Sequence, residues 1–197
     1  MTVLGILLAA GAGRRMGGPK ALVRDGDTSW LLRSVDVLLD GGCDAVRVVL
    51  GAGYDDAAAL LATHPDPRVG HVRSVDWAEG MGTSLRDGLS DLPGEVSAAV
   101  VHLVDLPDVG ADVVARLLAG GAAPDRLARA CFSGRPGHPV LMGRAHWPGV
   151  RDSLAGDAGA KGYLAAHDHE QVECGDLAGG HDVDSPREPT TRQPRRR

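Results

Sequence analysis

Four short, largely apolar runs constrain this chain more than anything else in it. Val3–Leu8, Ala45–Leu50, Ser97–Val104 and Leu127–Phe132 have the composition of strands covered on both faces. Helical segments lie between them. Thr28–Asp40 carries apolar residues at 31, 32, 35, 38 and 39, with Thr28 or Ser29 placed to cap it and Gly41-Gly42 to end it. Tyr54–His64 is alanine-rich and stops at Pro65. Gly110–Leu118 follows the third run, and Asp108 suits its cap. Val69–Val75 and Gln171–Cys174 read as weaker strands. Ala145–Leu154 reads as a short helix interrupted by Pro148, and Gly156–Gly162 opens another that Asp157 is placed to cap. The alternation predicts an α/β three-layer sandwich with a mainly parallel central sheet.

The 197 residues suit one domain. We take it as 1–186, with 187–197 an Arg- and Pro-rich disordered tail. A net charge of −5 and 3% aromatic residues argue against nucleic acid as a partner. No run has the length to cross a membrane, so no membrane partner is expected. Cys43, Cys131 and Cys174 are far apart and lack C-x-x-C spacing, which predicts a reducing cytoplasm.

The first apolar run feeds Leu7–Lys20, L-L-A-A-G-A-G-R-R-M-G-G-P-K. Glycines allow close backbone approach, and successive N–H groups in such a turn make an anion-binding concavity. Arg14, Arg15 and Lys20 add positive charge. The segment reads as a cradle for a polyphosphate. It matches neither standard loop. The dinucleotide pattern fails because Met16 takes the third glycine position, and the Walker pattern fails because Pro19 stands where lysine belongs.

Other candidates lie at loop positions. Asp105 follows the third apolar run, at the carboxyl end of a predicted central strand, where open α/β sheets place ligands. His102, inside that run, reads as a satisfied core histidine. Gly82, Thr83 and Ser84 stand at a predicted helix entry, which suits either ordinary capping or contact with a nucleotide. Ser133–Pro139 reads as a stiff loop that either presents Arg135 and His138 to a ligand or is simply a turn. Asp182 and Asp184 follow the last strand. A phosphate cradle plus two acidic clusters suggests a nucleotide with Mg²⁺, which takes one or two carboxylates along with phosphate oxygens and water. That is phosphoryl- or nucleotidyl-transfer chemistry.

The motifs L-A-A-G-A-G-R-R-M-G-G-P-K, G-M-G-T-S-L-R-D-G-L, L-V-D-L-P, R-P-G-H-P-V-L, G-D-A-G-A-K and D-V-D-S-P resemble, in order and spacing, those of MobA-like nucleotidyltransferases. These share the nucleotide-diphospho-sugar transferase fold, and the resemblance is strongest to the molybdenum cofactor cytidylyltransferase branch. It implies that Ala9, Ala10, Gly11, Ala12, Gly13, Arg14 and Lys20 hold the triphosphate, with Gly82, Thr83 and Ser84 also on the nucleotide. It implies catalytic roles for Arg15, Lys20 and Asp105, and Mg²⁺ on Asp105 with Asp182 or Asp184. Arg135, His138, Asp157 and Lys161 match regions facing the acceptor, molybdopterin or another phosphorylated molecule. Ala10 and Pro19 resemble the side of the group that uses CTP rather than GTP, and a molybdenum hydroxylase is the implied protein partner. The chain departs from the usual ending: D-V-D-S-P-R-E-P leads into a polar segment rather than a helix. Some sequences of the group carry the name nicotine blue oxidoreductase, which implies instead a nicotinamide- or flavin-dependent reductase acting on a pigment. A third alternative is a non-catalytic nucleotide-binding assembly factor.

Overall fold

A computed structural model describes residues 1–183. Asp184 and the segment 187–197 lie outside the described residues. Seven strands form one sheet in the order β5-β4-β1-β6-β8-β7-β9. They are β1 (Thr2–Ala9), β4 (Ala45–Leu50), β5 (Val69–Arg73), β6 (Val96–Leu103), β7 (Leu127–Phe132), β8 (Arg135–Gly143) and β9 (Glu170–Glu173). A two-stranded ribbon, β2 (Arg24–Asp25) with β3 (Thr28–Ser29), stands apart. The helices are α1 (Trp30–Asp40), α2 (Tyr54–Leu61), α3 (Met81–Gly88), α4 (Ala111–Leu118), α5 (Trp147–Ser153) and α6 (Lys161–Ala166).

The apolar runs explain the layering. Along β1 the side chains alternate between two cores. Val3, Leu7 and Ala9 join a cluster with α1, α2 and α4. Leu4, Ile6 and Leu8 join another with α3, α5 and α6. Period-2 alternation with both faces covered requires an apolar residue at every position. Each buried Val or Leu contributes about 1.5–3 kcal/mol, so helices on both faces are the stable arrangement. Gly5 faces α1 closely, with a Cβ there only 3.1 Å from Leu38. The result is the three-layer α/β sandwich expected, with a mixed and mainly parallel sheet.

β5, β4, β1 and β6 run parallel, while β8 runs antiparallel to both β6 and β7. Register aligns Ala9 with Leu50 and Leu8 with Leu103. The chain therefore leaves β1, β4 and β6 along one sheet edge, which gathers the glycine loop, Gly51 and Asp105.

Several local expectations are corrected. Ser133–Pro139 is not a loop. Ser133 and Gly134, both at positive φ, make a two-residue turn, and Arg135 onward is strand, paired with β7 and β6. Turns with two positive φ values match strand twist and keep the hairpin tight. Pro148 lies in the first turn of α5 and starts that helix rather than interrupting it. Asp108 does not cap α4. Its Oδ2 accepts from the N–H groups of Gly179 and Gly180 at 2.9 and 3.1 Å. Ser29 does cap α1, accepting from the Leu32 N–H. All three cysteines are buried and free. Among the described residues, no helix is long and apolar enough to cross a membrane.

Candidate active site

The glycine loop leaves β1 and folds back on itself. Gly13 adopts φ +54°, and its carbonyl accepts from the N–H groups of Met16 at 2.8 Å and Gly18 at 3.3 Å. A Cβ at Gly13 would overlap the Gly18 carbonyl oxygen. The Lys20 N–H donates to the Gly11 carbonyl at 3.3 Å. The loop thus closes at its base and turns the Lys20 side chain toward the end of β6. There the Lys20 ammonium donates to Asp105 Oδ2 at 2.6 Å, with both side chains about five-sixths buried (15% and 16% exposed). Asp105 Oδ1 is buried with no hydrogen-bond partner among the described residues. The Asp105 carbonyl accepts from the Val183 N–H, which brings Asp182 alongside.

Two cavities meet at this ion pair. The first, about 400 Å³, is lined by Ala10, Gly11, Ala12, Gly13, Arg14, Trp77, Gly80, Met81, Ser84 and Asp157, with Lys20 and Asp105. The second, about 410 Å³, also reaches Lys20 and Asp105. It adds Leu85, Val101, Arg129, His138, Val140, Met142, Lys161, Leu164 and Asp182. Leu8, Met81 and Leu103 border both.

The predicted residues divide accordingly. Ala10 to Arg14, Lys20, Ser84 and Asp105 line the first cavity. His138 and Lys161 line the second, as does Asp182. Asp157 stands in the first cavity, not with His138 and Lys161. Ala9 is 1% exposed and belongs to the core. Arg15, Gly82, Thr83 and Arg135 are not among the lining of either cavity. Thr83 Oγ1 donates to Glu79 Oε2 at 3.3 Å. Gly82 lets α3 approach the backbone at Ala155–Gly156, since a Cβ there would be 3.0 Å from the Gly156 carbonyl oxygen. Arg135 Nη2 lies 3.2 Å from His181 Nε2 at the surface. Neither Thr83 nor Ser84 caps α3, whose N-cap is Gly80.

Sequence reasoning missed Trp77 and Arg129. Trp77 packs over Gly51, where a Cβ would be 2.6 Å from its Cγ. The glycine was the only signal, and it points to a close approach without naming what approaches. Arg129 lies on β7 and donates through Nε to the Gly137 carbonyl at 2.9 Å. Burial lowers its pKa.

Two histidines lie on neighbouring strands, His102 on β6 and His138 on β8. Burial, reinforced by His138, pushes His102 down to about 3. Burial pushes His138 down to about 4, partly offset by its contact with the Val101 carbonyl. Both are neutral at pH 7. His102 is fully buried as expected, but it is not satisfied: neither ring nitrogen has a partner among the described residues.

No group of three His, Cys, Asp or Glu side chains gathers as a metal centre among the described residues. Mg²⁺ does not require one. An orphaned, buried Asp105 Oδ1 with Asp182 on the same cavity is a donor set that fits the ion.

Known proteins resemble this chain in sequence and in fold. The model of the MobA-like NTP transferase domain matches residues 5–172. The nicotine blue oxidoreductase of Paenarthrobacter nicotinovorans is 35% identical over 93% of this chain and 92% of its own. The molybdenum cofactor guanylyltransferase of Nitrobacter hamburgensis (strain DSM 10229 / NCIMB 13809 / X14) is 29% identical over 76% of this chain and 69% of its own. The crystal structure of Rv0371c from Mycobacterium tuberculosis H37Rv superposes with a TM-score of 0.75 at 27% identity, covering 94% of each chain. These relatives do not single out the cytidylyltransferase branch. The match over residues 5–172 makes the chain a member of the MobA-like NTP transferase domain family.

Proposed function

We propose that this chain is an enzyme that holds a nucleotide by its phosphates against Gly11–Lys20 and acts with it on a flat, largely apolar heteroaromatic molecule. One observation carries this reading: two cavities of similar size meet at the Lys20–Asp105 pair, one walled by loop backbone and the other by strand side chains. Backbone N–H groups and a lysine suit phosphates. A wall of Val140, Met142, Leu103 and Leu164 suits a ring system.

We favour hydride transfer from NAD(P)H to a conjugated pigment of the nicotine blue type. The supporting observation is the 35% identity, across nearly the whole of both chains, to a protein of that name. It is a higher identity over a longer match than that to the guanylyltransferase. In this reading the pigment lies along β6 and β8. Its reduction takes up a hydride at carbon and a proton from solvent at a heteroatom, and the exposed Lys161 ammonium on the cavity wall serves as a charge contact for the ring substrate.

A second reading is nucleotidyl transfer, in which NMP passes to a phosphorylated acceptor and pyrophosphate leaves. The observation favouring it is the unpartnered Asp105 Oδ1 beside Asp182. Asp105 and Asp182 would hold Mg²⁺, with Asp184 an alternative outside the described residues, and the ion would neutralise phosphate charge. CTP over GTP, a molybdopterin acceptor and delivery to a molybdenum hydroxylase belong to this reading. An acceptor phosphate is already ionised, so the low pKa of His138 is no obstacle.

Two assays on the purified chain separate the readings. NAD(P)H oxidation is followed with nicotine blue. Pyrophosphate release is followed with each NTP, Mg²⁺ and molybdopterin. Pigment-dependent oxidation without pyrophosphate is expected. Pyrophosphate release that Asp105→Ala abolishes, with no NAD(P)H oxidation, overturns the first reading in favour of the second.

A further inference from the structure

A third cavity, of about 600 Å³, lies behind the glycine loop and shares no lining residue with the other two. Gly17–Pro19, the ribbon strand β2, the start of α1 and Pro107-Asp108 enclose it. Its volume is in the range of small-molecule sites. Met16, Pro19, Leu22 and Val23 give it apolar walls.

Two lining residues each carry a buried donor atom with no partner among the described residues. Trp30 is 6% exposed, and its indole Nε1 has no partner among the described residues. Arg33 Nη2 is buried and likewise unpartnered. The two residues are three apart on α1 and so share one face of the helix. A buried donor left unpaired is destabilising, and more so when charged, so such groups are uncommon without a ligand or water. Nearby carboxylates do not meet the need. Asp108 Oδ2 is occupied by the Gly179 and Gly180 N–H groups, and Asp25 makes no ion pair with Arg33 among the described residues.

The structure assigns this cavity as a second ligand site, for a small monocarboxylate with an apolar body. Tryptophan and arginine offer donors and no acceptor, which matches an acceptor-only group. Guanidinium pairs well with carboxylate. The acidic Asp25 and Asp108 on the same cavity weigh against a dianion such as a phosphate ester. A ligand seated here touches the loop that carries Lys20 and the turn that follows Asp105, both from outside the cleft.

Calorimetry on the full chain, without nucleotide, tests this with 2-naphthoate against 2-naphthalenemethanol. The carboxylate is expected to bind at least about tenfold more tightly than the alcohol, as fits a charged hydrogen bond. Arg33→Met is expected to weaken 2-naphthoate binding roughly tenfold and Trp30→Phe roughly threefold. Arg33→Lys, which keeps the charge, should retain part of the affinity. Lys161→Met, in the cleft, should leave it unchanged. Circular dichroism and melting curves establish that each variant is folded. Undetectable binding, affinity indifferent to Trp30 and Arg33, equal loss in Arg33→Lys and Arg33→Met, or loss in Lys161→Met instead would each overturn the assignment.

Discussion

On one side of the Lys20–Asp105 pair the cleft is walled by the backbone of Ala10–Gly13. On the other it is walled by Val101, Val140, Met142 and Leu164. The first wall comes from the parallel half of the sheet, where a strand ends and the chain turns back. The second comes from the antiparallel half, where β8 runs through the core. Val140 and Met142 are each 1% exposed and belong to a main hydrophobic cluster, whereas Gly11 and Arg14 are exposed. A backbone wall depends on conformation at a few residues, so damage there should reach binding without reaching the fold. A side-chain wall that is also core cannot be altered without loss of stability.

The largest effect is expected at Met142. Met142→Ala should lower unfolding free energy by about 2–5 kcal/mol, as for other large-to-small core changes. Denaturant titration measures it. A loss under about 1 kcal/mol would mean that this wall is not core.

Next in size is the acid response, which also belongs to the hairpin side. His102 and His138 bind protons in the folded protein only near pH 3 and 4, against 6.5 ordinarily. Below pH 6.5 the unfolded chain takes up protons that the folded chain refuses. Stability is therefore complete above 6.5 and falls as pH drops toward 3, by an amount on the order of a few kcal/mol. His102→Leu should flatten this limb of the stability–pH curve. An unchanged slope would remove His102 as its cause.

Gly13→Ala should show the opposite pattern. Alanine at φ +54° is strained and meets the Gly18 carbonyl. Nucleotide affinity should fall about tenfold or more, equivalent to about 1.4 kcal/mol, with little change in melting temperature. A large drop in melting temperature with intact affinity would reverse the contrast.

The smallest effect is expected for Lys161→Met. Lys161 is exposed and lines only the second cavity. Its loss should raise KM for the ring substrate roughly two- to fivefold, in line with an exposed charge contact. KM for the nucleotide should stay unchanged, and an equal rise in both would merge the two seats into one.

The asymmetry extends to how much of each wall could be read before folding. The loop wall was legible because its signals are local. Gly11, Gly13 and Lys20 follow directly on an apolar run, and Asp105 ends another. The hairpin wall was not. Pro136, Gly137 and Pro139 have the composition of a loop, yet they lie within β8, whose two ends pair with β7 and whose second half pairs with β6, since tertiary context overrides local strand preference. Asp108 looked like a helix cap because Gly110 follows closely. It turned instead to N–H groups some seventy residues away.

From its sequence alone, this protein is an α/β sandwich with a phosphate-type loop after its first strand. Apolar runs of strand length, uninterrupted on both faces, admit little else, and glycines beside cations state their chemistry without reference to neighbours. Only the tertiary structure decided that Lys20 and Asp105 form one pair, that Asp157 and His138 face different cavities, and that Trp30 Nε1 and Arg33 Nη2 are buried without a hydrogen-bond partner among the described residues. Those facts depend on which side chains meet across β1, β6 and β8 and around α1. Residues 85 positions apart, as Lys20 and Asp105 are, are brought together by strand register and layer packing, and no local pattern encodes that meeting.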